Sequence, residues 1–595
     1  MSLRAGLAGL LGGCALAGTA FAAPPLADYG KLPTVEQLSL SPAGDKIAFL
    51  GSAGDQRRIV VKKVGGPGLF AINVGTLKPR SVSWLDEGHL LVEATTTLGE
   101  RLDLESFQHY EATQSTIIDA TTGKAANVFA GVKLIDPQTY GMFGSAMEGG
   151  VPYGYFAGLT LTGAGTGAIA FDSPEASATH SHTDLYKVNL DNGHPEMVSG
   201  GSEYHDLDWV VGPTGVIAGH SDYDHRSHEW RLYADPADTI LISQAIDPVG
   251  DINLVGFGRT PDTLLVQRPT ADGSEYVYIE YPAKVGASGT VLFKDQGVRG
   301  LLWDPATHLL MGAETNDDNP QTVMLDPVLQ AKFDKIKRAL GGEIVTLVST
   351  TAALDRMIVK AQGPGDSGTY FLVDYAAGKI EAMGWEYPTI LQGDVAVTRT
   401  ITYKAADGLE LEGVLTLPLG REAKNAPLVV LPHGGPAGHD YIRFDWWAQA
   451  LASRGYVVFQ PNFRGSDRFG KAFTDAGDGQ WGRKMQTDIS DGVAELARQG
   501  IVDPKRACIV GASYGGYAAL AGVTVQQGLY RCAVSVGGIS DLNDMMAWDS
   551  KRYGSTSETM RIQRKRLGVK GDGDSSLNAV SPRHLVDRAD APILL

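Results

Sequence analysis

Gly511-Ala512-Ser513-Tyr514-Gly515 is the stretch with the clearest chemical potential. A serine at this spacing between glycines fits the G-x-S-x-G turn, which lifts a hydroxyl to the top of a parallel sheet as a nucleophile for acyl transfer. The flanks agree. Residues 507–510 read as a buried strand, and Ala518-Ala519-Leu520-Ala521 continues a helix. Side chains at 511 and 515 would collide with the neighbouring strand and helix, which explains the glycines. The Tyr514 amide, first in that helix, can face an oxyanion. Bare G-x-S-x-G strings also arise by chance, so the strand and helix around this one carry the reading.

Two further motifs sit where acyl chemistry wants them. His433-Gly434-Gly435-Pro436 follows the apolar run 428–431, and its glycines let the backbone approach a substrate carbonyl. The plain alternative is a tight turn. Asn462-Phe463-Arg464-Gly465-Ser466 ends the next strand, where Arg464 either braces the loop by a salt bridge or contacts a substrate carbonyl.

The elements that must position these residues alternate. Residues 399–417 read as a hairpin around Asp407-Gly408, 428–431 and 456–459 as strands, and 444–454 and 488–499 as helices. The serine strand and its helix follow, then the strand 533–536. Strands alternating with helices predict a doubly wound, mostly parallel α/β sheet over residues 395–595.

Residues 33–390 carry a different pattern: apolar strand, polar turn, apolar strand. It begins at Leu38 and Val82 and returns near Leu207, Leu254, Leu301 and Leu347. The period of its neighbouring copies is that of a four-stranded blade, so a β-propeller of about seven blades is expected. Residues 186–193 and 371–379 read as outer hairpins, and 327–340 as a short helix inserted in a blade.

The chain has 595 residues and a formal charge of −17, which argues against a nucleic-acid partner. Arg4, the apolar run 5–20 and Ala20-Phe21-Ala22 read as a signal peptide cleaved near Ala22. A lipoprotein reading at Cys14 is the lesser alternative, because the apolar run continues past it. No later stretch has the length and apolarity of a membrane span, so an exported, periplasmic or secreted protein is expected. Cys508 and Cys532 then remain, and both read as buried thiols in core strands rather than as a disulfide or metal pair. His180, His182, His205, His220, His225 and His228 are dispersed over predicted turns without ligand spacing. They read as polar loops at a blade edge, and neither a metal nor another cofactor is expected.

The apparent propeller, H-G-G-P, F-R-G-S, Gln480-Trp481-Gly482 and Gly511-Ala512-Ser513-Tyr514-Gly515-Gly516-Tyr517 together resemble the prolyl oligopeptidase family of serine peptidases, in its acylaminoacyl-peptidase and dipeptidyl-peptidase-like branches. The likeness is specific from about Val395 onward and architectural before it. It implies a peptidase of short peptides whose propeller covers the active site. By position, it implies Ser513 as nucleophile and the amides of Tyr514 and Gly435 as the oxyanion hole. Relatives that use a tyrosine hydroxyl there have it where this chain has His433. Ile539, Leu542 and Met545 match family positions lining the pocket for the residue before the scissile bond, with core packing as the alternative reading.

The resemblance also implies a triad in the order Ser, Asp, His. The strand expected before the aspartate is 591–595, where the sequence ends. The acid and base are therefore expected beyond Leu595, in a chain that is a C-terminally truncated fragment with little or no activity of its own. His584, Asp587 and Asp590 read as a surface helix; His433 and His439 precede the serine; Asp541 and Asp544 are followed by no suitable histidine. None is expected to replace the triad. A non-catalytic peptide-binding protein and an esterase of the same fold are the competing readings, and homo-oligomerisation is left open.

Overall fold

The computed structural model describes residues 23–101, 107–162, 180–248, 250–270, 276–294, 296–315, 320–341, 344–363 and 365–595. The signal-peptide reading of residues 1–22, with Cys14 and Ala22, lies outside them, as does the side chain of His180.

Residues 35–385 form a seven-bladed propeller. Among the described residues, six blades are four-stranded and one, residues 298–324, is three-stranded. The strands Val35–Leu40, Lys78–Trp84, His205–Val211, Asn253–Phe257, Val298–Trp303 and Ile344–Thr350 each begin a blade. All six carry the repeat read from the sequence. Met142–Glu148 begins the remaining blade, and the hairpin of 186–193 joins its two outer strands. Alternate residues on these strands are buried, so each blade packs on its neighbours through apolar faces. The helix Pro327–Ala339 is inserted after the three-stranded blade, capped by Asp326 and seated through Leu329, Phe333 and Ile336.

The chain then enters a seven-stranded sheet. Its strands are β1 (Thr398–Lys404), β2 (Glu410–Thr416), β3 (Ala426–Val430), β4 (Val457–Asn462), β5 (Val502–Ala512), β6 (Ala533–Val536) and β7 (Ile593–Leu594). The order is β1-β2-β4-β3-β5-β6-β7. The pairs β1–β2 and β2–β4 are antiparallel and the rest parallel. Helices α1 (Trp446–Ala452), α2 (Lys484–Arg498), α3 (Tyr514–Thr524) and α4 (Leu542–Tyr553) follow β3, β4, β5 and β6. The central strands are apolar on both faces, as a sheet covered by helices requires. One large apolar cluster runs from Ile401 through Phe459, Ile489 and Tyr517 to Val580.

Two readings are corrected. Cys508 and Cys532 form a disulfide with 4.8 Å between their Cα atoms. The parallel register sets Ile509 opposite Ala533, which brings the preceding cysteines side by side on adjacent strands; no local spacing announces this. The histidines of the fourth blade are not merely loop residues. His205 and His220 lie on paired strands and His225 in the turn beyond, and each faces an aspartate: His205–Asp222 at 2.6 Å, His220–Asp238 at 2.9 Å and His225–Asp206 at 2.8 Å. Among the described residues no group of three His, Cys, Asp or Glu side chains is arranged to hold a metal ion, and no helix is long and apolar enough to cross a membrane.

Candidate active site

The turn between β5 and α3 is strained in the way a nucleophile needs. Ser513 has φ 56° and ψ −120°, a region L-residues avoid, and it is exposed while Tyr514 behind it is fully buried. Gly511 and Gly515 make this geometry possible. A Cβ at 511 would lie 2.4 Å from the Gly515 backbone, and one at 515 would lie 2.1 Å from the Pro432 carbonyl oxygen. The Ser513 N–H is held by the Val536 carbonyl at 3.0 Å. The Tyr514 amide is among the first N–H groups of α3, which the helix itself leaves unpaired.

The same contacts bring H-G-G-P to the serine. A Cβ added to Gly434 would lie 3.6 Å from the Ser513 Cβ. Gly435, exposed at φ 124°, begins a cis bond to Pro436. The turn rests on an aromatic bed. His433 stacks on Phe463 at 4.4 Å, Phe463 meets Tyr514 at a tilt at 5.1 Å, and Trp481 meets Tyr514 edge-on at 4.6 Å. The Gln480-Trp481-Gly482 segment noted in the sequence thus supports the serine turn from below.

Arg464 is placed as a brace. Its side chain is 6% exposed. Nε and Nη2 bond Asp488 at 2.7 and 2.8 Å, and Nη1 and Nη2 bond Asp407 at 2.9 Å each. The Arg464 guanidinium and Lys484 hold the Asp407 carboxyl well below the usual carboxylate range. Asp488 comes from α2 and Asp407 from the β1–β2 turn, so neither partner is announced by spacing.

Leu542 is fully buried, and Ile539 and Met545 are half-buried against the same apolar cluster. The turn before Ile539 abuts the start of α3: a Cβ on Gly516 would lie 2.7 Å from the Gly538 Cα. The other titratable groups considered for a triad have partners elsewhere. His439 donates to Asp467 through Nδ1, and Arg468 reaches its Nε2 at 2.8 Å. His584 Nε2 lies 2.9 Å from Asp541. His433 Nε2 lies 2.9 Å from the Ser466 hydroxyl, and burial pushes its imidazole down to about 4. Among the described residues, no imidazole is hydrogen-bonded to Ser513.

Known proteins resemble this chain over part or most of its length. A model of the Prolyl oligopeptidase family matches residues 442–595. The chain is 31% identical over 308 residues to dipeptidyl aminopeptidase BIII of Pseudoxanthomonas mexicana, covering 50% of this chain and 44% of that protein. It is 36% identical over 169 residues to dipeptidyl peptidase family member 6 of Caenorhabditis elegans, covering 28% and 23%. These matches span less than half the length of either curated relative. Among solved structures, an acylaminoacyl peptidase of Pyrococcus horikoshii superposes with TM-score 0.61 at 14% identity, covering 96% of this chain and 87% of that one. A puromycin-hydrolyzing peptidase of Mycobacterium tuberculosis gives 0.62 at 16%, covering 96% and 87%. At such identities these two neighbours establish the fold alone. Residues 442–595 thus match the Prolyl oligopeptidase family, in a chain that sets an α/β-hydrolase domain behind a seven-bladed propeller.

Proposed function

We propose that this protein is a serine peptidase acting on short peptides. Ser513 is the nucleophile, and the amides of Tyr514 and Gly435 stabilise the oxyanion. The carrying observation is the exposed serine at positive φ with the H-G-G-P turn packed against it. In the acylation step the Ser513 oxygen bonds the scissile carbonyl carbon, the amine leaves with the electron pair and a proton, and water later releases the acyl group. Because His433, His439 and His584 are engaged elsewhere, the acid and base come from outside the described residues. A serine without its base is a weak nucleophile, so the chain as given turns over slowly or not at all. The names of the relatives favour removal of dipeptides from a peptide N-terminus.

Export to the periplasm or secretion, with cleavage near Ala22, remains part of this reading. The Cys508–Cys532 disulfide supports it, since such bonds persist in oxidising compartments.

The test is labelling with a fluorophosphonate probe of this chain, its Ser513→Ala variant, and a form extended through the downstream reading frame. Labelling that depends on Ser513 and is strong only in the extended form supports the reading. Equal labelling of the short form places a base within these residues and overturns that part of it. The engaged imidazoles also favour a second reading, a peptide-binding protein without turnover. Peptide binding by the extended form, with no Ser513 labelling, selects it. Ester turnover without peptide turnover would point to an esterase.

A further inference from the structure

Between the fourth and fifth blades lies a cavity of about 390 Å³ that the mechanism above leaves unused. Its back wall is one face of the fourth blade. The strands His205–Val211, Ile217–Asp224 and Glu229–Tyr233 lie side by side there. Their register sets Asp206, Tyr223 and Trp230 in one row, and Asp208 and Ser221 in the next. Residues opposite one another on antiparallel strands share a face, as does every second residue along a strand. All five line the cavity, and Ile252 closes it from the fifth blade.

The place of the cavity follows from strand direction. Arg299 is the second residue of the strand that begins the sixth blade, and it bonds Tyr441 of the hydrolase domain. The strands that begin the blades run the same way through a propeller. Asp206, second in its own strand, therefore stands on the rim that faces the hydrolase domain.

Two features of this cavity ask for a partner. Trp230 is 3% exposed, and its indole N–H meets no acceptor in the protein. A buried donor left unpaired is costly, and an acceptor on a ligand removes that cost. The second feature is Asp208. Burial, with Asp206 beside it, pushes its carboxyl up to about 6. The groups acting on it are Asp206 and the Ser221 hydroxyl, so among the described residues its charge has no cation beside it. At the rim, His225 Nε2 lies 2.8 Å from Asp206.

A fitting ligand brings a cationic donor for the carboxyls and an acceptor for the indole. Tyr223 stands between the two in the row, its hydroxyl 3.0 Å from the Asp247 carbonyl. Neighbouring strands are about 4.8 Å apart, so the ends of the row are roughly 10 Å apart at the backbone. An ammonium and a carbonyl on adjoining atoms, as at a peptide N-terminus, are too close together to span it. In a lysine or arginine residue a flexible apolar stem separates the cationic head from the peptide carbonyl, and such a stem lies well along an aromatic ring.

We propose that this cavity docks a basic residue of the peptide substrate: Asp206 and Asp208 take the ammonium or guanidinium, Tyr223 takes the stem, and the Trp230 indole donates to the peptide carbonyl. The proposal rests on the reading of this protein as a peptidase. It adds a preference for peptides with an arginine or lysine held on the propeller rather than in the pocket beside Ser513.

The test has two arms. The first titrates the full chain carrying Ser513→Ala, by calorimetry, with N-acetyl-arginine methylamide, which has the head, the stem and the carbonyl but no free α-amine. Its citrulline analogue keeps the shape without the charge and should bind at least about tenfold more weakly. Agmatine lacks the carbonyl and should bind about fivefold more weakly. Asp208→Asn should bring the arginine and citrulline probes to within about twofold of each other. Trp230→Phe keeps an aromatic wall, and should weaken the arginine probe about fivefold while leaving agmatine unmoved. No binding at millimolar probe, equal binding of the arginine and citrulline probes, or a charge preference that survives Asp208→Asn overturns the proposal. The second arm measures hydrolysis by the extended form of peptide pairs that differ only in arginine against citrulline. The ratio of their kcat/KM values should favour arginine and fall to near one in Asp208→Asn. Hydrolysis without that preference overturns the docking site and leaves the peptidase reading standing. Probe binding as expected, with no peptide hydrolysed, overturns the peptidase reading and leaves the site.

Discussion

Asp440 stands five residues past Gly435, 7% exposed, with no hydrogen-bond partner for Oδ2. Burial, reinforced by Asp445, pushes its carboxyl up to about 7 from 3.8. The folded protein thus holds a proton here that the unfolded chain releases. Between pH 4 and 7 the unfolded state binds fewer protons, so this group makes stability fall as pH rises, and the full penalty is present above 7. Asp440→Asn should therefore raise Tm by several degrees at pH 8 and leave it nearly unchanged at pH 3, where the carboxyl is mostly neutral in both states. Thermal melts of the two proteins across that range check this. A gain of the same size at both pH values would mean that repacking, not charge, is responsible. The backbone of Asp440 is held on both sides by one amide: the Asp440 N–H bonds Asn462 Oδ1 at 2.8 Å, and Asn462 Nδ2 bonds the Asp440 carbonyl at 2.9 Å.

At the scale of elements, the serine turn depends on close approach. Gly515→Ala would force a methyl group to within 2.1 Å of the Pro432 oxygen, at the foot of the H-G-G-P turn. The expected outcome is loss of Ser513 labelling by at least 100-fold in protein that still shows a cooperative melt, because the two halves of the site must separate. The disulfide acts on the same strand five residues earlier. It closes a 24-residue separation, and its removal by a Cys508→Ser, Cys532→Ser double substitution should cost roughly 3 kcal/mol in a denaturant titration. The sequence made much of this region legible because the signals are local. Apolar runs marked the strands, G-x-S-x-G marked the turn, and the blade repeat showed at residues that begin six of the seven blades. Helix α2 begins at Lys484, four residues before the apolar periodicity shows it. What stayed hidden is set by register and crossover. The two cysteines meet only because β5 and β6 are parallel and in step, and Arg464 meets Asp407 only after the chain has crossed the sheet.

The whole molecule is closed along a seam between propeller and hydrolase domain. Tyr29, Ile390 and Val395 are buried there together, and Tyr387 packs on Phe444 at 5.1 Å. Farther along, Arg299 at the start of a blade-forming strand donates to the Tyr441 hydroxyl at 2.7 Å and lies over its ring at 4.5 Å. Tyr441 follows Gly435 by six residues, so this contact joins the propeller to the segment carrying the oxyanion turn. Tyr441→Phe removes the hydrogen bond and keeps the ring; Arg299→Ala removes both contacts. Hydrogen exchange of residues 438–445 should quicken up to about tenfold in Arg299→Ala and less in Tyr441→Phe. Unchanged exchange in both would show that the seam near Tyr29 holds the domains alone.

The Arg464 brace has a consequence for how such a sequence can change over generations. One guanidinium satisfies two acids carried by different segments, with Asp488 wholly buried. Losing the arginine first strands the buried Asp488 carboxylate, at a cost of about 3–5 kcal/mol, and losing Asp488 first leaves the buried guanidinium with Asp407 alone and its Nε unpaired. No single step leads safely away, so the group should be inherited as a block. Descendants that abandon Arg464 should have replaced Asp488 with a neutral residue as well, and Asp407, which keeps Lys484 as a second partner, should be the most dispensable of the three.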